Sequence, residues 1–232
     1  MALNFKRAVR NESFNLGRLS PKGVPLIPCI LFTIANHYYI HAHIGGFNVL
    51  YQKEIEITLE AVYQKMGFTD QTAVSPYLKN RVSHFIERGQ SKFQPCIYYD
   101  MFKIRTDDEQ GFLEFANGSR FESQSIFNLV YGCNELVVGV ATLGVEIKDL
   151  LDVVAHDLDF TIMDAVGSVA MERLTKAFWH DLVCSCRESG QGLTMRYSPG
   201  EDGWLLREQR TVFELLSGQD MAVQLKDRKS VV

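Results

Sequence analysis

Apolar residues recur at helical spacing soon after residue 54. Leu59, Val62, Tyr63 and Met66 occupy positions i, i+3, i+4 and i+7, which lie on one face of an α-helix. Gly67 follows this stripe where a helix would end, because glycine readily adopts the positive φ found after helix C-termini. The pattern therefore predicts an amphipathic helix that ends near residue 67.

A second helix is predicted directly afterwards, beginning at Ser75-Pro76. Serine supplies an N-cap side chain, and proline suits the first helical position because its missing N–H is not needed there. Gly89 is predicted to end this helix. The apolar stripe between these signals consists of Leu78, Val82, Phe85 and Ile86.

Four further stretches carry a helical pattern. A short helix is predicted over residues 123–131, ending at Gly132. Two long helices follow it, then a loop that contains Arg196, and then a last helix. The three apolar stripes of these later helices are Ile147, Leu150, Leu151, Val154 and Leu158; Val166, Val169, Ala170, Leu174 and Ala177; and Leu206, Gln209, Phe213 and Leu216.

Strands are predicted over residues 96–104, 111–115 and 136–142, which are rich in β-branched and aromatic residues. Residues 24–35 are also mostly apolar, but they are too few for a membrane span, which needs about 20. This run is therefore interpreted as a buried strand or core segment. Because helices and strands are interspersed without strict βαβ alternation, we predict an α+β fold.

Composition and charge restrict the class of protein. The 232 residues include 24 basic and 28 acidic side chains, a net charge of -4, which argues against a general nucleic-acid binder. Five cysteines without a metal-ligand pattern indicate reduced thiols and a cytoplasmic protein. With no membrane span in view, we expect one domain over residues 55–232, preceded by an N-terminal arm or extension of residues 1–54.

Three histidines, His37, His41 and His43, lie within seven residues and are a candidate metal site. His37 and His41 share a face only on a helix, whereas His41 and His43 share one only on a strand. Because these spacings need different secondary structures, an aromatic-rich structural segment is favoured over metal binding. No metal is therefore predicted.

Two closely spaced pairs also have structural interpretations. Cys184 and Cys186 lie near the end of a predicted helix, where residues i and i+2 point apart and cannot converge on one ion. Asp157 and Asp159 have the same spacing and are interpreted as a solvated surface. Neither pair predicts chemistry.

The segment from Arg196 to Trp204 is the best candidate binding site. Pro199-Gly200 suits the two central positions of a type II turn, whose exposed backbone groups can hydrogen-bond a ligand. Arg196 offers a planar fork of donors suited to a carboxylate. The alternative is a connection between helices, in which Arg196 is a surface charge and Trp204 fills the core.

Several short pieces between residues 59 and 216 share one resemblance. They are residues 61–68, 134–138, 141–144, 163–168 and 196–200, together with Trp204 and Gln209. In order and spacing they resemble stand-alone versions of the activation domain of vitamin B12-dependent methionine synthase. The tail, residues 227–232, resembles the Pro-Arg-Lys-Ser-Val ending of that family.

The resemblance implies an α+β fold with a curved antiparallel sheet and several packed helices. It also implies a groove for S-adenosylmethionine. In this family the domain serves the reductive remethylation of a cobalamin held by a partner protein or a methionine synthase module, so the chain would be part of a cobalamin-dependent methyltransferase system. The alternative is a non-catalytic module of the same fold that docks a corrinoid protein without binding S-adenosylmethionine.

The resemblance also implies roles for individual residues. Arg196 would hold the carboxylate of the methionine moiety, and the backbone of Tyr197, Ser198, Pro199 and Gly200 would line the adenosine moiety. Glu201 stands where the family has tyrosine, and it can pair with the ligand's ammonium or sulfonium. Lys176 aligns with a family glutamate that contacts the ammonium, and Glu172, one turn earlier, would substitute for that glutamate if the helix were rotated or shifted.

Overall fold

The computed structural model of the protein describes residues 26–33, 49–70, 74–107, 109–144, 157–201 and 203–217. The fold is α+β, as predicted, and the described strands form a curved, open, mainly antiparallel sheet. Within the described ranges, no helix is long and apolar enough to cross a membrane.

The described residues form seven strands, five α-helices and one short 3₁₀ helix at residues 206–208. The strands are β1 Leu26–Thr33, β2 Val49–Gln52, β3 Cys96–Asp107, β4 Phe112–Phe115, β5 Arg120–Phe121, β6 Glu135–Thr142 and β7 Gly192–Tyr197. The α-helices are α1 Leu59–Lys65, α2 Pro76–Lys92, α3 Gln124–Val130, α4 Asp157–Glu188 and α5 Gln209–Leu215.

The strands lie in the order β5-β4-β3-β6-β1-β7, and β2 also pairs with β3. Strands β3 and β6 are antiparallel, whereas β1 runs parallel to both β6 and β7. Parallel strands need a crossover connection, and helix α4 lies between β6 and β7 in the chain. Strands β1 and β2 precede residue 54, so segments from both sides of the predicted domain boundary share one sheet.

Strand β6 contributes to two hydrophobic cores on opposite faces of the sheet. Val137 and Ala141 pack in the first core with residues of α1, α2 and α4. Leu136, Val138 and Val140 pack in the second core, with residues of β3, β4, β5, α3 and α5. A strand covered on both faces explains why residues 136–142 form a continuous apolar run instead of an alternating pattern.

The sequence-based prediction of most elements is confirmed. Strands β3, β4 and β6 and helix α3 match predicted segments, and the apolar run 24–35 contains β1. Gly67 follows α1 with a φ of 91°, and the Ser75 hydroxyl caps α2 by accepting the N–H of Leu78 at 3.3 Å. Caps and apolar stripes were therefore reliable guides to these helices.

Gly89 does not end helix α2, contrary to the prediction, since the helix continues to Lys92. A Cβ added at Gly89 would lie 3.0 Å from Cε2 of Phe93 and 3.2 Å from Cγ1 of Val166 in helix α4. The missing side chain thus allows α2 and α4 to pack closely, which is a different use of glycine from helix termination.

The predicted stripes of the later helices need two corrections. Leu158 belongs to α4, the same helix as Val166, and is 39% exposed; the rest of its predicted stripe falls in residues 145–156, outside the described residues. Leu206 is 52% exposed on the 3₁₀ helix instead of lying on the buried face. That face is formed by Glu208, Val212, Leu215 and Leu216.

Asp159 is buried, which corrects its prediction as a solvated residue. Its carboxylate accepts two hydrogen bonds from Arg81 of α2, from Nε to Oδ1 at 2.8 Å and from Nη2 to Oδ2 at 2.6 Å. Asp157 is exposed, as predicted. The Arg81–Asp159 pair therefore joins the first turn of α4 to α2, and the bidentate geometry offsets the cost of burying the carboxylate.

Candidate functional site

Arg196 and Tyr197 lie in strand β7 at the edge of the sheet and not in a loop between helices, as the sequence had suggested. Helix α4 ends in a Schellman pair of backbone hydrogen bonds around Gly190, whose φ is 70°. This reversal leads the chain directly into β7 and its parallel pairing with β1. The loop itself begins only at Ser198.

A β-bulge in β7 determines the direction of the Arg196 side chain. Ile27 of β1 pairs with Leu193, and Cys29 pairs with Arg196, so β7 advances three residues while β1 advances two. Side chains alternate along a regular strand, so Leu193 and Arg196 would otherwise face opposite sides of the sheet. With the extra residue, Leu193 packs against the first core, Arg196 reaches α4 on that same face, and Tyr197 packs against the second core.

The Arg196 guanidinium is held by a buried hydroxyl of helix α4. Its Nη1 donates to Oγ1 of Thr175 at 2.6 Å, and Thr175 is 2% exposed. The same hydroxyl donates to the backbone carbonyl of Glu172 at 3.2 Å. This chain of two hydrogen bonds brings Arg196 and Glu172, both predicted site residues, to one turn of α4.

The Glu172 carboxylate forms an ion pair with Lys65 of helix α1, and its side chain is 60% exposed. A surface pair of this kind is worth little, so a ligand cation can replace Lys65 at small cost. Lys176 is exposed one turn later on the same helix. The helical turn that binds Arg196 through Thr175 therefore also carries the exposed charges of Glu172, Arg173 and Lys176.

The turn predicted at Pro199-Gly200 is confirmed. The N–H of Glu201 donates to the carbonyl of Ser198 at 3.1 Å, and Gly200 has the positive φ, 100°, that the third position of a type II turn requires. Pro199 is buried, whereas Gly200 and Glu201 are exposed. The turn thus presents its second half to solvent.

Most backbone amides of this turn donate within the loop. The N–H of Ser198 donates to Oε2 of Glu201 at 3.0 Å, and the N–H of Gly200 donates to the carbonyl of Trp204 at 2.7 Å. The N–H of Glu201 is used by the turn itself, and proline has none. Glu201, in the place of the family's tyrosine, therefore closes the loop, and a ligand here would meet mainly side chains and carbonyl oxygens.

Trp204 anchors the loop in the second core. It is 1% exposed, and its ring packs edge-to-face on Phe121 with the centroids 5.2 Å apart. Its Nε1 donates to Oε2 of Glu208 at 2.6 Å, and Glu208 also accepts the N–H of Glu122 at 3.2 Å. Burial raises the pKa of Glu208 above its usual value, against the opposing effect of these hydrogen bonds.

A second group of polar side chains joins β2 to α4. Asp181 accepts hydrogen bonds from Tyr51 Oη at 2.8 Å and Lys53 Nζ at 2.9 Å, and it contacts Nδ1 of His180 at 3.3 Å. The bond from Lys53, followed by that from Tyr51, lowers the pKa of Asp181 to about 2. Burial and Asp181 together raise the pKa of Tyr51 to about 12. These values keep the carboxylate charged and the phenol neutral at ordinary pH, which suits a structural contact.

Among the described residues, the other candidate chemical groups form no second site. His37, His41 and His43 lie outside the described residues, and within the described ones no three His, Cys, Asp or Glu side chains are placed to hold a metal ion. Cys184 is exposed and Cys186 is buried, as expected for positions i and i+2 of a helix, and both are free thiols. Burial raises the pKa of Cys96 and of Cys133 to about 11, so neither is poised as a thiolate.

The charged groups on α4 and β7 could hold the two ends of a zwitterionic ligand. Arg196 matches a carboxylate, and the Glu172 carboxylate matches an ammonium because it already binds the ammonium of Lys65.

No protein-family model matches the chain, and no curated protein matches it at a significant level. The chain's own residues and its sequence resemblance are therefore what point to a function.

Thr175 was absent from the sequence-based site. It lies between Met171 and Phe178 at helical spacing, and all three are buried. A hydroxyl within a buried stripe must find a hydrogen-bond partner, and this was the available signal. The sequence does not identify Arg196 as this partner, because Arg196 faces α4 only through the bulge in β7.

Proposed function

We propose that this protein is an accessory protein that binds S-adenosylmethionine and serves the reductive remethylation of a cobalamin or corrinoid protein, or of methionine synthase. The α+β fold agrees with the sequence resemblance to the methionine synthase activation domain. Within that resemblance, the proposal depends on whether this chain can bind the charged amino-acid end of the methyl donor.

One observation carries the proposal. The hydrogen bond from Arg196 Nη1 to Thr175, and from Thr175 to the backbone carbonyl of Glu172, fixes the Arg196 guanidinium on the helical turn to which Glu172 belongs. A guanidinium and a carboxylate carried on neighbouring elements would complement an α-amino acid, which carries both charges on one carbon.

The contribution of the protein would be binding and orientation. Arg196 would bind the ligand carboxylate, and Glu172 or Glu201 would bind the ammonium or sulfonium. The Ser198–Glu201 turn, fixed by Trp204, would form a wall against the adenosine moiety. S-adenosylmethionine supplies the activated methyl group and the partner's cobalamin supplies the cobalt, so positioning rather than a catalytic dyad is required of this chain.

Isothermal titration with S-adenosylmethionine tests the proposal. We expect saturable binding by the wild-type protein, and we expect Arg196→Gln to weaken it by at least about tenfold, because a charge-assisted contact is lost. Arg105→Gln is the matched control, since Arg105 is an exposed arginine on strand β3 rather than at the candidate site. Absence of binding at millimolar ligand, or equal losses in both variants, would refute the proposal.

The hydrogen bonds inside the loop favour a second candidate, a non-catalytic module that docks a corrinoid protein without binding S-adenosylmethionine. The amides of Ser198, Gly200 and Glu201 all have acceptors within residues 198–204. A loop closed in this way can act as a rigid docking element. Capture of a cobalamin-loaded partner by both the wild type and Arg196→Gln, without any S-adenosylmethionine binding, would favour this candidate; loss of capture in Arg196→Gln would contradict it.

A further inference from the structure

The hydroxyl of Thr175 has a fixed role in its hydrogen bonds. A hydroxyl has a single hydrogen, and here it is donated to the Glu172 carbonyl at 3.2 Å. The oxygen therefore offers its lone pairs to Arg196 Nη1, which lies 2.6 Å away. Because Thr175 is 2% exposed, water does not readily take the place of either partner.

An anchored guanidinium differs from a free one in its binding. Arginine has a long flexible side chain, and fixing its planar fork costs conformational entropy when a ligand binds. A bidentate contact with a carboxylate needs two parallel N–H groups on one edge of the fork. A protein group that binds one Nη nitrogen before the ligand arrives reduces this entropy cost. It also determines which edge of the guanidinium stays available to the ligand.

We propose that Thr175 is a positioning residue that orients the Arg196 guanidinium, and that it thereby sets a preference for ligands that carry a carboxylate. This inference rests on the proposed function, since it assigns the specificity of the same site. The bulge in β7 is part of this arrangement, because it turns Arg196 to the face on which Thr175 lies.

Three substitutions on helix α4 separate the hydroxyl from other effects. Thr175→Val removes the hydroxyl with little change in volume, and Thr175→Ser retains it. Thr161→Val is the matched control, because Thr161 also donates to a helix carbonyl, that of Asp157 at 3.0 Å, but is exposed and lies more than three turns away from Thr175. Thermal unfolding of each variant shows first that the fold is intact.

Binding of S-adenosylmethionine and of its decarboxylated analogue is then compared. We expect Thr175→Val to weaken S-adenosylmethionine binding about tenfold and to leave the analogue unchanged, because the lost contact orients only the carboxylate partner. Thr175→Ser and Thr161→Val should match the wild type. Thr175→Val should have no further effect in an Arg196→Gln background, since the two residues act as a unit.

Side-chain NMR of the Arg196 guanidinium provides a readout that needs no ligand. We expect its rotation about the Cζ–Nη bonds to become faster in Thr175→Val and to stay unchanged in Thr161→Val. If rotation is slow in the wild type but S-adenosylmethionine does not bind, the proposed function is rejected. The role of Thr175 in ligand specificity is then rejected too, although its hydrogen bond to Arg196 is upheld. Wild-type affinity for S-adenosylmethionine in Thr175→Val would overturn the inference even if the proposed function holds.

Discussion

At the scale of single residues, burial gives two aspartates of one helical turn different contributions to stability. Asp157 and Asp159 both lie in the first turn of α4, where either carboxylate interacts favourably with the helix dipole. Only Asp159 is buried and bound in bidentate fashion by Arg81. The two positions therefore form a natural comparison within one helical turn.

We expect Asp159→Asn to lower the free energy of unfolding by about 2 kcal/mol, because a buried charge-assisted hydrogen bond is lost. Asp157→Asn should change it by less than about 0.5 kcal/mol, as for most surface substitutions. Urea denaturation followed by circular dichroism measures both. Equal effects would show that Arg81 does not stabilise the buried carboxylate.

Glu208 makes a second prediction at this scale, concerning pH. Burial raises its folded pKa above the ordinary value of 4.5, so the unfolded chain loses this proton first as pH rises. The folded state then binds more protons than the unfolded state, and the contribution of Glu208 to stability falls as pH rises from about 4.5 through the folded pKa.

The Glu208→Gln variant lacks this ionisation. We expect the stability of the wild type relative to Glu208→Gln to be greatest near pH 4.5 and to decline towards neutral pH, when unfolding is measured by urea titration across that range. Glu214→Gln removes a carboxylate from an exposed position of α5 and is the matched control. A wild-type advantage that grows with pH would contradict the burial of Glu208 as the dominant cause.

At the scale of elements, the sequence predicted a helix or strand correctly when the residues that define it lie within one short segment. Helix α2 could be predicted because Ser75, Pro76 and its apolar stripe are all within one segment. Strand β7 could not, since its six residues carry little alternation and its bulge is defined only by pairing with β1. The turn at Pro199-Gly200 was predictable, but the strand that presents Arg196 was not.

The turn gives a prediction at this scale. Gly200 has a φ of 100°, and an added Cβ would meet only Cδ1 of Leu206, at 3.6 Å, which is an ordinary contact. The cost of Gly200→Ala is therefore conformational, and we expect a loss of about 1–2 kcal/mol in the free energy of unfolding. Gly200→Asn should cost less, because asparagine tolerates positive φ better than alanine. Equal stability of all three proteins in thermal unfolding would contradict the assigned backbone conformation.

At the scale of the whole molecule, strand β6 joins the two cores. Its alternate side chains pack on opposite faces of the sheet, so loss of either core would expose one side of this central strand. The sequence predicted a buried strand here, but it did not reveal which helices cover each face, since that depends on contacts between residues far apart in the chain. The shared strand implies that both cores unfold together.

The two tryptophans of the chain allow this cooperativity to be measured. Trp179 packs against the first core from helix α4, and Trp204 is buried in the second. In Trp179→Phe the remaining fluorescence reports the second core, and in Trp204→Phe it reports the first. Within each variant, we expect the urea midpoint from fluorescence to equal the midpoint from circular dichroism. Both midpoints of Trp204→Phe should be lower than those of the wild type, because the hydrogen bond from Trp204 to Glu208 is lost. A fluorescence midpoint that differs from the circular dichroism midpoint in either variant would mean that the two faces of the sheet unfold separately, and that β6 does not couple the Arg196 face to the core that holds Trp204.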